Sequence, residues 1–166
     1  REVESKSNVK YRGGVIDVNE KQKLNRRPKQ KSYCCGNLRG IHFSRWGLSF
    51  KTNTDDIREA PSFYMIDALL AEGATVTAFD PEAMANAKES YADKISFTGN
   101  QYDALKNADA LIIATEWNEF RTPDFEKIGS ALRKKLIFDG RNLFELSHME
   151  AEGFHYESVG RKAVTQ

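Results

Sequence analysis

The chain reads as a three-layer α/β domain with a parallel sheet of about five strands and helices on both faces. Three observations carry this. From Gly40 onwards, short apolar runs of strand length alternate with segments of helical period. The run Ala108-Asp109-Ala110-Leu111-Ile112-Ile113-Ala114 has the apolar continuity that a strand buried on both faces requires. Glycine or proline punctuates the joins, as at Pro61, Gly73, Pro81, Gly140 and Gly153.

Residues 1–39 stand apart as an N-terminal segment, and 40–166 as the domain. The segment is rich in Lys, Arg, Asn, Ser and Gln. Val15, Val18 and Leu24 allow a modest apolar stripe on a helix bounded by Gly13-Gly14 and Pro28. The basic run from Lys21 to Lys31 lacks interleaved aromatics, so it reads as a solvated helix face or linker rather than a nucleic-acid patch.

In the domain, Ile41 to Trp46 is the first strand, although His42, Ser44 and Arg45 make it more polar than a central parallel strand should be. A polar loop follows, and Pro61 opens a helix whose apolar positions are Phe63, Ile66, Leu69 and Leu70. Gly73 stops that helix. Ala74 to Phe79 is the second strand, Glu82 to Tyr91 a helix and Lys94 to Phe97 a short third strand. Asn100 to Asn107 is a short helix with Tyr102 and Leu105 inward, before the strong strand ending at Ala114. Asp124 to Leu132 is helical, Leu136 to Phe138 a fifth strand, Ser147 to Glu152 a short helix, and Phe154 to Tyr156 a last extended segment.

A net charge of +1 gives no global field toward nucleic acid or anionic membrane. There is no apolar run of membrane-spanning length and no signal-peptide pattern. The two cysteines, Cys34 and Cys35, are adjacent, which suits neither a disulfide nor a zinc site. The expectation is a reduced, cytoplasmic protein without a metal.

Chemistry gathers in loops at strand carboxyl ends, where open α/β sheets place ligands. Lys51 and Arg58 follow the first strand and Arg141 follows the fifth. Cations in such loops suit an anionic ligand, phosphate first, with Arg offering bidentate contacts and Lys a point charge. The alternative is a solvated loop in which Asp55, Asp56 and Glu59 neutralise Lys51 and Arg58. Phe50 belongs either in the core or beside a base. Asp80 ends the second strand, where a ribose-binding acid would sit, but no G-x-G-x-x-G precedes it, so Asp80-Pro81 reads as a helix start and not as part of an NAD site. Glu116, Trp117 and Glu119 read as a structural loop. His42, His148 and His155 are scattered, and no catalytic residue is assigned.

The stretch Gly47-Leu48-Ser49-Phe50-Lys51, followed by Thr54-Asp55-Asp56-Ile57-Arg58-Glu59-Ala60-Pro61-Ser62, resembles the UDP-glucose/GDP-mannose dehydrogenase family, in its C-terminal nucleotide-sugar-binding domain. Val18 to Lys23 looks like the end of that family's long central, dimerising helix. Ala74-Thr75-Val76 with Phe79-Asp80-Pro81, Thr115 to Phe120 and Phe138 to Asn142 extend the likeness over Val15 to Arg161. The spelling is more like the UDP-glucose branch than the GDP-mannose or UDP-N-acetylmannosamine branches.

The resemblance implies a Rossmann-like domain that holds the UDP half of UDP-glucose while a separate domain holds NAD. Such enzymes carry out a two-step, NAD-dependent oxidation to UDP-glucuronate, as homodimers or higher homo-oligomers. By resemblance Phe50, Lys51 and Arg141 contact the substrate and Arg58 reaches the cofactor. The family's Cys-Phe-Pro-Lys-Asp motif and Gly-rich NAD turn are missing from this sequence, and Arg45 stands where an apolar strand residue is expected. The chain alone is therefore expected to be inactive, either a piece of a longer enzyme or a stand-alone nucleotide-binding or assembly module.

Overall fold

The computed structural model describes residues 38–49, 51–58 and 60–165. The helix expected at Val15 to Leu24, the two cysteines and Phe50 lie outside them. Six strands form one sheet: β1 His42–Trp46, β2 Thr75–Phe79, β3 Ser96–Phe97, β4 Ala110–Ile113, β5 Leu136–Asp139 and β6 His155–Ser158. Their order is β3-β2-β1-β4-β5-β6, and every neighbouring pair is parallel. The helices are α1 Pro61–Ala71, α2 Met84–Tyr91, α3 Asn118–Arg121, α4 Phe125–Ala131 and α5 Leu146–Ala151, with a 3-10 turn at Asp103–Leu105.

This is the Rossmann-like three-layer architecture that the alternating pattern implies. The segment expected to be merely extended after Gly153 pairs with β5 and becomes the sixth strand. A further antiparallel bridge, Tyr156 to Val164, lies along that strand. One layer of core packs Phe63, Ile66 and Leu69 of α1 and Ala87 of α2 against Phe43, Val76, Ala78 and Ile112. The other packs Ile128 of α4 and Met149 of α5 against Trp46, Leu111, Ile113, Ile137 and Tyr156. Trp46 stacks on Phe120 with ring centroids 5.1 Å apart.

Strand β1 is central despite its polar residues, which are only partly satisfied there. The His42 ring lies 2.7 Å from Thr75 Oγ1 and 3.0 Å from Thr77 Oγ1, while its backbone N–H donates to Asp109 Oδ2 at 2.9 Å. Arg45 is 1% exposed, between Ala78 of β2 and Ile112 of β4, and its Nη1 donates to Met65 Sδ. Its Nε finds no acceptor, nor does the Ser44 hydroxyl. The strand therefore holds its place through sheet pairing and its apolar neighbours, against the polarity of its own side chains.

Candidate functional site

The chain runs outward from β1 to β2 and β3, then restarts at β4 on the other side of β1 and runs outward again. The carboxyl rim beside β1 and β4 is thus the topological switch point, where doubly wound sheets take ligands. Four loops meet there, after β1, β2, β4 and β5.

The β1 loop leaves the sheet at Gly47, whose φ is +94°. A Cβ at this position would stand 2.6 Å from Thr115 Oγ1 and 2.7 Å from Thr115 N, so only glycine allows the β4 turn this close. Thr115 uses the approach: its hydroxyl donates to Ser49 O at 3.0 Å and is fully buried. Lys51 follows two residues later, exposed at the rim. The loop then turns through Asn53, at φ +59°, and is tethered toward α2 by Asn86 Nδ2 donating to Asp55 O.

Asp80, at the end of β2, organises this rim. Its Oδ2 accepts from Leu48 N at 2.7 Å, Ser49 N at 3.1 Å, Ser49 Oγ at 3.2 Å and Trp117 Nε1 at 3.2 Å. Its Oδ1 accepts from Glu82 N and Ala83 N. The side chain is entirely buried. The Oδ1 bonds are the helix-start role read from the sequence, whereas the Oδ2 bonds across two other loops are not local and gave no sequence signal. Trp117 is likewise more than loop filling, since its indole N–H joins the β4 turn to Asp80.

A second buried carboxylate, Asp139 at the end of β5, shapes the remaining loop. It accepts from Arg141 N and Leu143 N, each at 2.7 Å, and from the Tyr156 hydroxyl at 2.8 Å. Burial, then the adjacent Asp139 charge, push the Tyr156 hydroxyl well above the usual tyrosine range. Arg161 Nη2 donates to the same hydroxyl, so β6 and its tail support the β5 turn. Arg141 is fixed further by Nε donating to Ala114 O at 2.9 Å.

Arg141 is thereby tied to the β4 turn through Ala114, and Ser49, two residues before the exposed Lys51, is tied to it through Thr115. Arg58 lies on the far branch of the β1 loop, in an exposed bidentate pair with Asp56 at 3.0 and 3.2 Å that holds the Asp56 carboxyl below its usual range. The neutralised-loop reading thus holds for Arg58 and Asp56. Between the branches, Thr52, Asn53, Pro81, Trp117, Asn118 and Glu119 line a cleft of about 180 Å³. Partial burial, then Asp80, push the Glu119 carboxyl up. Among the described residues, no group of three or more His, Cys, Asp or Glu is placed to hold a metal ion, and no helix is long and apolar enough to cross a membrane.

The fit of a dinucleotide to this domain is decided by the first turn. In a dinucleotide-binding fold the amides after β1 face the pyrophosphate. Here the Leu48 and Ser49 amides are taken by Asp80, so the described residues do not fit NAD at that place.

Residues 45–146 match the pattern of the UDP-glucose/GDP-mannose dehydrogenase family, UDP binding domain. The chain is 42% identical over 131 residues to the UDP-glucose 6-dehydrogenase of Pseudomonas aeruginosa, covering 76% of this chain and 29% of that one. It is 38% identical over 147 residues to the Rhizobium meliloti enzyme of the same name, covering 89% and 33%. Among solved structures, the UDP-glucose dehydrogenase of the archaeon Pyrobaculum islandicum superposes with a TM-score of 0.58 at 30% identity, over 81% of this chain and 26% of that one. The NDP-N-acetyl-D-galactosaminuronic acid dehydrogenase of Methanosarcina mazei gives 0.65 at 26% identity, over 76% and 26%. The chain spans about a third of the length of the curated relatives it matches. With the family pattern running over more than half of its residues, the chain belongs to the UDP-glucose/GDP-mannose dehydrogenase family, of which it carries the UDP-binding domain.

Proposed function

We propose that this chain is the UDP-sugar-binding domain of a UDP-glucose 6-dehydrogenase, the cytoplasmic NAD-dependent enzyme that oxidises UDP-glucose to UDP-glucuronate. The reading is supported by Arg141, oriented by Ala114 O at the β4 turn, and by Lys51, exposed two residues beyond the Ser49 carbonyl that Thr115 binds. Lys51 supplies a point charge to the diphosphate. Arg141, its plane set by Ala114 O, supplies directed N–H donors to the same group or to the uridine. Phe50 packs beside the base or sugar. Arg58, on the branch tethered toward α2, faces a cofactor held by a separate NAD-binding domain.

Oxidation itself belongs to a nucleophilic cysteine in a Cys-Phe-Pro-Lys-Asp motif and to bound NAD. That motif is not among these residues, so the chain binds the UDP-sugar and does not reduce NAD when given UDP-glucose. Its functional form is a homodimer or higher homo-oligomer that includes the NAD-binding domain. The UDP-glucose assignment rests on relatives of that name at 38–42% identity. A related NDP-N-acetyl-D-galactosaminuronic acid dehydrogenase superposes with lower identity.

Calorimetric titration of the purified chain with UDP, against GDP and NAD, tests this. Saturable UDP binding that Lys51→Ala or Arg141→Ala weakens by about tenfold or more is the expected result, since each substitution removes a charge-assisted contact. GDP binding in place of UDP, or UDP binding indifferent to both substitutions, would overturn it.

A further inference from the structure

We propose that Asp80 is a positioning residue for this rim: its buried carboxylate fills the turn that a dinucleotide-binding domain leaves open for phosphate, and in doing so sets the path of the Lys51 loop. The functional half of the inference rests on the UDP reading above; the filled turn stands on geometry alone.

Four donors from two loops converge on Asp80 Oδ2: the amides of Leu48 and Ser49, the Ser49 hydroxyl and the Trp117 indole. Consecutive backbone N–H groups in a β–α turn make an anion-binding concavity. In this chain the anion is a side chain belonging to the next strand. Two consequences follow for ligand chemistry. The diphosphate cannot use the first-turn amides, and must be met by side-chain cations further out, at Lys51 and Arg141. The same carboxylate joins the start of the β1 loop, at Leu48 and Ser49, to the β4 turn through Trp117, and the Ala114 carbonyl of that turn orients Arg141. Relative to a dinucleotide-binding domain, phosphate recognition is thereby moved from backbone to side chains by one aspartate, within an otherwise ordinary doubly wound fold.

The test uses Asp80→Ala and Asp80→Asn in the full chain, with sodium formate as the probe and sodium chloride at equal ionic strength as the control. Three signals are read: thermal unfolding, UDP affinity by calorimetry, and the Trp117 indole N–H resonance by NMR. In Asp80→Ala, UDP binding is expected to weaken by about tenfold, the low end of what misplacing a binding group costs. Formate, but not chloride, raises the melting temperature, returns the indole resonance toward its original position and recovers part of the affinity. Asp80→Asn keeps one carbonyl acceptor and the side-chain shape. It folds, shifts the indole resonance and weakens UDP binding without responding to formate, so it carries the test should the alanine variant fail to fold.

Unchanged UDP affinity in both variants, with Lys51→Ala still weakening it, would overturn the positioning role while leaving the UDP site intact. An unmoved Trp117 resonance, or equal effects of formate and chloride on Asp80→Ala, would overturn the filled turn. Absence of UDP binding by the parent chain would remove the functional half along with the reading it rests on, and the formate response would still decide the geometric half.

Discussion

Replacing Arg45 by methionine should stabilise this protein. The guanidinium is 1% exposed in the middle of the central strand, and burial pushes it down from the ordinary arginine range to about 9. At about 1.4 kcal/mol per pH unit, that displacement sets a ceiling of about 5 kcal/mol on the cost of keeping the charge in the core at neutral pH. The charge gains little in return, because Nη1 donates to the weak acceptor Met65 Sδ and Nε has no acceptor. Methionine keeps the unbranched stem beside Ala78 and Ile112 without the desolvated cation. Swaps of buried charge for packed hydrophobe are typically neutral or stabilising by about 1–4 kcal/mol. An expected gain of about 2 kcal/mol corresponds to a rise in melting temperature of about 4–8 °C for a chain of this size. Urea and thermal unfolding at neutral pH, followed by circular dichroism, measure it directly. The sign with pH is also determined: from about 9 up to the ordinary arginine range the unfolded chain holds this proton more tightly than the folded one, so the parent's stability contribution from Arg45 rises with pH there, and the variant's cannot. A methionine variant less stable than its parent would refute the reasoning, by showing that the guanidinium is satisfied where it lies.

Two further perturbations probe the rim and the opposite end of the sheet. Gly47→Ala places a Cβ against both the side chain and the backbone N of Thr115 in a left-handed conformation, and is expected to cost about 3 kcal/mol; a denaturation midpoint equal to the parent's would mean that the β4 turn yields easily. Burial, partly offset by Asp109 and reinforced by Arg133, holds the His42 imidazole below its ordinary 6.5. Its contribution is therefore present above that pH and is lost as acid protonates the unfolded chain first. The melting temperature of His42→Asn should fall less steeply between about pH 7 and 5 than that of the parent, and parallel slopes would show that His42 titrates alike in both states.

Much of the architecture was legible in the residues because it is governed by period and punctuation. The apolar face of α1, the stop at Gly73 and the buried run of β4 are local patterns, and each element formed where its pattern placed it. The short β6 was harder: Phe154 to Tyr156 has a strand's composition, but only pairing with β5 makes it a sixth strand. The cations at the rim were also visible, since a loop after a strand in an alternating chain must lie at the carboxyl edge. For Arg58 the partner was legible only as one of Asp55, Asp56 and Glu59. Nothing near Arg58 in sequence distinguishes Asp55 from Asp56 as its mate, and loop geometry alone selects Asp56.

What the sequence determined by itself was therefore the class of fold, the order of its elements, the family and the rim on which Lys51, Arg58 and Arg141 lie, all consequences of interactions between near neighbours or of a recognisable spelling. Tertiary structure alone decided the work of Asp80, Thr115 and Asp139. Each is a polar residue at or just beyond the end of a strand, and its meaning depends on donors or acceptors brought from other loops and strands. It also decided that a cation such as Arg45 could be carried inside the central strand. Buried polar groups must find partners wherever the fold presents them, and that choice is made by packing across the sheet, where sequence distance carries no information.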